Sequence, residues 1–269
     1  MGQTAMRSRR AVLVLSAVLA AMVLSSGVAL AANITCQVNV YCLGTNKADT
    51  LKGTAERDYI NGRGSADVLK GLGTGDRLFG KGGADGLFGG DGPDFLVGGV
   101  GNDELDGGGG ANGYFFGPDW GKDSITDDTP TGNKLYFYEN GSGVVTDSLT
   151  INLSAGAGPQ VKNASATNTI DWEGNVISGL VSGKGSDHIT GNLQANVIYD
   201  NYASPSDFDN ISTGVGNDVI NVDDGPGADT VNCGESLIFL PTDNDTVYYD
   251  ASDTVTNCET RYKDGVLQP

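Results

Sequence analysis

Apolar residues recur at every ninth position from Leu51, through Ile60, Leu69, Leu78, Leu87, Leu96 and Leu105 to Tyr114. A period of nine is neither the 3.6 of a helix nor the plain alternation of a long strand. It suits a three-residue strand whose middle side chain points inward, followed by a six-residue turn. One such unit cannot enclose its single apolar side chain, so the units have to stack on one another. The pattern predicts an all-β fold of short stacked strands over residues 44–115.

Two further columns keep the same register. Glycine stands at Gly44, Gly53, Gly62, Gly71, Gly80, Gly89, Gly98 and Gly107. Five places after each comes an acid, Asp49, Asp58, Asp67, Asp76, Asp85, Asp94 and Asp103, until Asn112 ends the series. Glycine lets a hexapeptide turn tightly and bring carbonyl oxygens together, and the aspartate adds charge at that point. Such a turn suits calcium, which takes six to eight hard oxygens from carboxylates and carbonyls. The aspartates are therefore the candidate metal ligands.

The units Gly89-Gly90-Asp91-Gly92-Pro93-Asp94-Phe95-Leu96-Val97 and Gly98-Gly99-Val100-Gly101-Asn102-Asp103-Glu104-Leu105-Asp106 resemble the haemolysin-type, or repeats-in-toxin (RTX), calcium-binding nonapeptide G-G-x-G-x-D-x-U-x. The resemblance implies a right-handed parallel β-roll, a β-solenoid in which two nonapeptides make one 18-residue turn. It places Asp49, Asp67, Asp85 and Asp103 on one edge and Asp58, Asp76 and Asp94 on the other. Calcium ions would lie between successive turns, in three gaps on the first edge and two on the second, with a weaker gap at Asp94/Asn112. The turn glycines implied are Gly80, Gly82, Gly83, Gly89, Gly90, Gly92, Gly98, Gly99 and Gly101. The early turns depart from the motif, with Thr45, Thr54, Arg63, Leu72 and Lys81 at the second position and Lys47, Glu56, Ser65 and Thr74 at the fourth. The sites around Asp76/Asp94 and Asp85/Asp103 are accordingly the best formed.

From 116 to 181 the register lapses into an irregular β segment, although Asp123-Ser124-Ile125 keeps an acid and an apolar residue at the right offset. It returns in degenerate form over 182–232. Asp187 and Asp218 are further candidate ligands, with Asp209 and Asp229 in matching places and Asn196 where another acid belongs. Residues 32–43 and 233–269 read as terminal caps. Each holds two cysteines, and an exported chain permits disulfides. Of three formal connectivities, local pairing as Cys36–Cys42 and Cys233–Cys258 is chosen, because a solenoid leaves an apolar cross-section at each end that a closed loop can stiffen.

Residues 1–31 read as a secretory signal peptide, with Arg7, Arg9 and Arg10 before the apolar run Ala11 to Leu24 and small residues at Ala29 and Ala31. Ser8-Arg9-Arg10 also touches the twin-arginine export pattern, and an uncleaved anchor is the alternative. Cleavage would remove three arginines and no acids, changing the net charge from −18 to −21. Such a field repels nucleic acid and attracts cations. A secreted, extracellular protein with calcium as its cofactor and no membrane span after cleavage follows.

The single histidine, His188, excludes H-E-x-x-H zinc chemistry and leaves any Ser-His-Asp triad resting on it alone. The glycine spacing Gly108/Gly110/Gly113 mimics a dinucleotide fingerprint but lies inside the repeats. Paired carboxylates for polysaccharide cleavage need no histidine, yet the acids are periodic and no pair breaks the pattern. No enzyme activity is expected. A surface or matrix adhesin is the alternative role, with Phe79, Phe88, Phe95 and Val97 at outward positions as contacts, unless they pack against the irregular segment.

Overall fold

Short strands with one buried middle residue leave their backbone edges to be satisfied by other turns, and this dictates the architecture. In the computed structural model the described residues are 31–268 apart from 39, 130–131, 140–142, 155–158, 173, 175–176, 201–206, 224, 226 and 235–242. The segment read as a signal peptide lies outside them. The described residues form no helix, and two sheets of 13 and 12 strands carry the fold. Consecutive repeats go to opposite sheets. Thr50–Lys52 pairs in parallel with Val68–Gly73, then Gly86–Asp91 and Glu104–Gly109, while Tyr59–Asn61 pairs with Arg77–Gly82 and Phe95–Val100. Leu51, Leu69, Leu87 and Leu105 are thus in register on one sheet and Ile60, Leu78, Leu96 and Tyr114 on the other. The molecule is a parallel β-solenoid with an 18-residue turn.

All eight of these residues are 0% exposed. A fully buried leucine contributes on the order of 2 kcal/mol, so the column between the sheets is the main source of stability. Ile125, Leu135, Ile151, Ile170, Leu180, Ile189, Ile198, Ile211, Ile220, Val231 and Val247 extend the same core.

The irregular segment is an excursion within the stack. Thr169–Trp172 pairs in parallel with Lys122–Thr126 and antiparallel with Val161–Asn163, which runs antiparallel to Leu149–Asn152. Leu149–Asn152 then resumes parallel pairing with His188–Thr190. The other sheet absorbs the excursion as a register shift between Asn133 and Lys134, where Asn133–Tyr136 meets Ile177–Val181. Strands 246–249, 254–256 and 260–263 carry both sheets on through the C-terminal segment. Disulfides join Cys36 to Cys42 and Cys233 to Cys258.

Outside the main core, Phe79, Val97 and Phe115 make a second buried cluster flanked by Tyr59, Phe95, Tyr136 and Tyr138. Tyr138, from the irregular segment, meets the Phe115 ring edge-on at 5.8 Å. Phe88 lies apart from this cluster on the other sheet, beneath the Lys70 ammonium.

Candidate metal centre

Stacking at 18 residues brings each aspartate against the backbone of the turn before it. On one edge the Asp49 amide donates to Asp67 Oδ1 at 2.7 Å, Asp67 to Asp85 at 2.7 Å and Asp85 to Asp103 at 2.8 Å. On the other edge Asp58 donates to Asp76 at 2.7 Å, Asp76 to Asp94 at 2.6 Å and Asp94 to Asn112 Oδ1 at 2.8 Å. One carboxylate oxygen is therefore committed to holding two turns together.

The second oxygen lies over the first glycine of its own turn. A Cβ at Gly80, Gly89 or Gly98 would overlap Oδ2 of Asp85, Asp94 or Asp103, so the cradle exists only because those residues lack one. The Oδ2 atoms of Asp67, Asp76, Asp85, Asp94 and Asp103 are buried without a hydrogen-bond partner. Burial pushes these carboxyls up, to about 6 at Asp67 and Asp76 and about 7 at Asp94 and Asp103, with Asp85 also raised. Buried unpaired carboxylates are costly and are normally offset by a cation or a proton. A hollow of about 400 Å³ opens along the first edge, lined by Asp67, Asp85 and Asp103 with Ala66, Ala84 and Glu104.

These orphan oxygens fit calcium. Among the described residues no three acidic, histidine or cysteine side chains stand at metal-coordinating spacing. An ion held here would take one or two carboxylates and complete its shell with backbone carbonyls, the donor mixture calcium accepts. In the later turns Gly90, Gly92, Gly99 and Gly101 have φ between 104° and 152°. The non-glycine residues of earlier turns keep the left-handed conformation, with φ of 82° at Arg63, 77° at Ser65, 93° at Leu72, 66° at Thr74 and 84° at Lys81. Stacking thus holds these turns in shape against a steric cost of about 1–2 kcal/mol per residue. Among the glycines named above, Gly82 has neither a positive φ nor a neighbour within 4 Å of a built Cβ, so its position does not require glycine.

The first two turns differ. The Thr54 amide and hydroxyl donate to Asp58 Oδ2 at 2.6 and 3.1 Å, and those of Thr45 donate to Asp49 Oδ2 at 2.6 and 2.8 Å. Burial pushes Asp49 up, but the Thr45 hydroxyl and amide and the Ala32 amide outweigh it and leave the carboxyl below its ordinary value. Here threonine covers the Oδ2 that a cation would meet elsewhere, while Oδ1 of Asp58 is left buried without a partner.

The expected weaker gap at Asp94/Asn112 is filled by protein. Asn112 Nδ2 donates to Asp127 Oδ2 at 3.0 Å, the Tyr114 hydroxyl donates to the same oxygen at 2.5 Å, and the Gly107 amide donates to that hydroxyl at 3.1 Å. An amide nitrogen offers a cation nothing, and the space over Gly107 is occupied.

The aspartate ladder also runs beyond the regular repeats. Asp123 Oδ1 accepts from the Asp103 amide at 2.8 Å, and burial pushes its carboxyl up to about 9. In the second half Asp187 Oδ1 accepts from Leu149, Asp209 from Asp187, Asp229 from Asp209 and Asp253 from Asp229. On the opposite edge Asp218 accepts from Asn196 and Asp245 from Asp218. Orphan Oδ2 atoms recur at Asp123, Asp187, Asp209 and Asp218. Asp200 and Asp207, at non-motif positions, add negative charge beside Asp187 and Asp209, and burial and this repulsion push Asp187 up to about 8 and Asp209 higher still. Sequence reasoning missed Asp245 and Asp253 as ligand-column members. Their signal was the acid-x-apolar triplet, Asp245-Thr246-Val247 and Asp253-Thr254-Val255, set outside a nine-residue period.

A family model described as the RTX calcium-binding nonapeptide repeat (4 copies) matches residues 43–78, 79–114 and 180–201. No curated protein matches the chain.

Proposed function

We propose that this chain, whose repeats match the RTX calcium-binding nonapeptide, is a secreted, non-catalytic calcium module that folds as its turns take up the ion. The repeats and the solenoid fit a calcium-binding protein. The observation that carries the reading further is the row of buried, unpartnered Oδ2 atoms from Asp67 to Asp103. Five such groups in a chain of net charge −18 oppose compaction until a cation satisfies them. Calcium supplies the positive charge that closes each turn, while Asp67, Asp76, Asp85, Asp94 and Asp103 hold it and glycine keeps the space open. Among the described residues no helix is long and apolar enough to cross a membrane, and paired disulfides suit an oxidising compartment.

The test is circular dichroism and gel filtration of the chain without residues 1–31, in chelator, in millimolar calcium and in millimolar magnesium. Calcium is expected to raise β content and reduce the hydrodynamic radius. Magnesium does so poorly, because its small octahedral shell sheds water reluctantly. Unchanged β content on adding calcium overturns folding on binding.

A further inference from the structure

The first turn of the solenoid is closed by a residue that the rest of the ladder does not use. From Asp67 to Asp103 each carboxylate of this edge accepts the amide of the aspartate one turn before. One turn before Asp49 stands Ala31, and Asp49 Oδ1 accepts instead the backbone nitrogen of Ala32 at 3.0 Å. The Thr50 amide donates to the Ala32 carbonyl at 2.8 Å, and Asn33–Thr35 continues as the outermost strand of its sheet, paired in parallel with Thr50–Lys52. Ala32 is thus held on both sides of its backbone, half-buried, against a carboxylate that is 3% exposed.

The sequence before Ala32, Gly27-Val28-Ala29-Leu30-Ala31, offers two cuts with small residues at the −3 and −1 positions, one after Ala29 and one after Ala31. They differ in what they leave at Asp49. A cut after Ala29 leaves the Ala32 nitrogen as a neutral amide with one proton to give. A cut after Ala31 makes the same nitrogen the α-amino group of the chain, which is protonated at neutral pH. The atom 3.0 Å from the buried carboxylate oxygen then carries a full positive charge, and Coulomb attraction is added to the hydrogen bond already present. With Oδ2 covered by the Thr45 amide and hydroxyl, the acid at the head of this edge is then balanced without a metal.

We propose that Ala32 is the first residue of the mature chain and that its α-ammonium pairs with Asp49, so that processing itself locks the first turn. The step is hydrolysis of the Ala31–Ala32 peptide bond by a signal peptidase. Water adds across the bond, leaving a carboxylate on Ala31 and an ammonium on Ala32. The cut comes before folding, because in the folded turn the Ala32 nitrogen and carbonyl are both engaged. An uncut precursor lacks the pair and keeps a looser first turn during export. The inference rests on the reading of the chain as exported and not on where calcium binds.

Two measurements test it. N-terminal sequencing and intact mass of the protein recovered from the producing cell's medium are expected to give Ala32 as the first residue. A different first residue overturns the inference and leaves export standing, whereas absence of the chain from the medium overturns both. The second measurement compares calcium-saturated chains that begin at Ala32 with the amine free or acetylated, the acetyl group standing in for the uncut peptide bond. Hydrogen exchange of the Thr50 amide, which donates to Ala32, is the local readout. Acetylation is expected to speed it about fivefold, the worth of a partly screened ion pair. In Asp49→Asn, which keeps the acceptor and loses the charge, acetylation should make no difference. A chain extended by Gly-Ser ahead of Ala32 should exchange like the acetylated one, a comparison that does not depend on the folding of Asp49→Asn. No effect of acetylation in the parent chain, the same effect in Asp49→Asn, or exchange in the extended chain as slow as with the free amine overturns the pairing.

Discussion

Replacing Asp94 by asparagine separates the two jobs of its carboxylate. Oδ1 accepts the Asp76 amide at 2.6 Å, and asparagine keeps that acceptor, as Asn112 does for Asp94 one turn later. Oδ2, the orphan over Gly89, becomes an uncharged donor. Without calcium, the rise of Asp94 from 3.8 to about 7 corresponds to about 4 kcal/mol against the ionised form well above pH 7. Screening at this partly open edge reduces it to the order of 1–2 kcal/mol, and the new unpaired amide donor offsets much of that. The calcium-free chain should thus change little. With calcium, the lost charged ligand costs about 1.5–3 kcal/mol, or roughly 10–100-fold in affinity at that site. Asp58→Asn is the contrast. Its Oδ1 is buried without a partner, but its Oδ2, the oxygen over the first glycine of the turn, already accepts two hydrogen bonds from Thr54, so the change costs about 1–2 kcal/mol of fold stability without removing an ion. Bound calcium per chain is measured by equilibrium dialysis at a free concentration just sufficient to saturate the parent protein. Asp94→Asn is expected to hold at least one ion fewer and Asp58→Asn the same number. An equal loss in both, or a larger one in Asp58→Asn, refutes the reasoning that an orphan Oδ2 over the first glycine of its turn marks an ion site.

The pH response has a definite sign. Carboxyls raised in the fold to about 6–7, as at Asp67, Asp76, Asp94 and Asp103, support the calcium-free fold fully below the unfolded value near 4, and that support is lost as pH climbs through 6–7. In chelator the chain should therefore compact on acidification from pH 8 to 4 by gel filtration, and a constant radius would contradict this. Gly82→Ala should be neutral or stabilising by up to about 1 kcal/mol. Gly99→Ala, at φ 104° against the Lys81 backbone, should cost more than about 2 kcal/mol, both read by thermal unfolding in calcium. Serine replacement of the Cys233–Cys258 pair, with a separation of 25, should cost about 3 kcal/mol, and that of Cys36–Cys42, with a separation of 6, about 2 kcal/mol, by urea unfolding in calcium.

Much of the solenoid was legible because each column answers a separate local demand: a small residue under the carboxylate, an acid at the edge and an apolar side chain in the core. Three strictly spaced demands repeated from Gly44 to Tyr114 leave one architecture. What was not legible depended on partners outside the period. Thr45 and Thr54 read as missing glycines, whereas their hydroxyls and amides take over the aspartate oxygens. The closure at Asn112 depends on Asp127, 15 residues away and off the register. The antiparallel passage between 149 and 172 preserves stacking while breaking spacing, so periodicity could not reveal it. Asp245 and Asp253 were hidden by unequal turns before them.

Since every repeat aspartate from Asp49 to Asp103 except Asp58, whose Oδ1 is buried without a partner, secures the amide of the turn before it, the ladder has a direction. A turn lends its carboxylate oxygen backward and borrows one from the turn ahead, as when Asp76 bonds Asp58 and is itself bonded by Asp94. Deleting turns from the N-terminal side leaves the remaining ladder amides capped, whereas a cut at any later turn strips a buried amide of its acceptor on each edge. The chain meets that debt on one edge with a different residue, Glu259, whose Oε2 accepts the Asp245 amide at 2.9 Å. Whole 18-residue turns inserted between existing ones would create no unmet donor, so the architecture can lengthen from within while its C-terminal stop remains a fixed requirement.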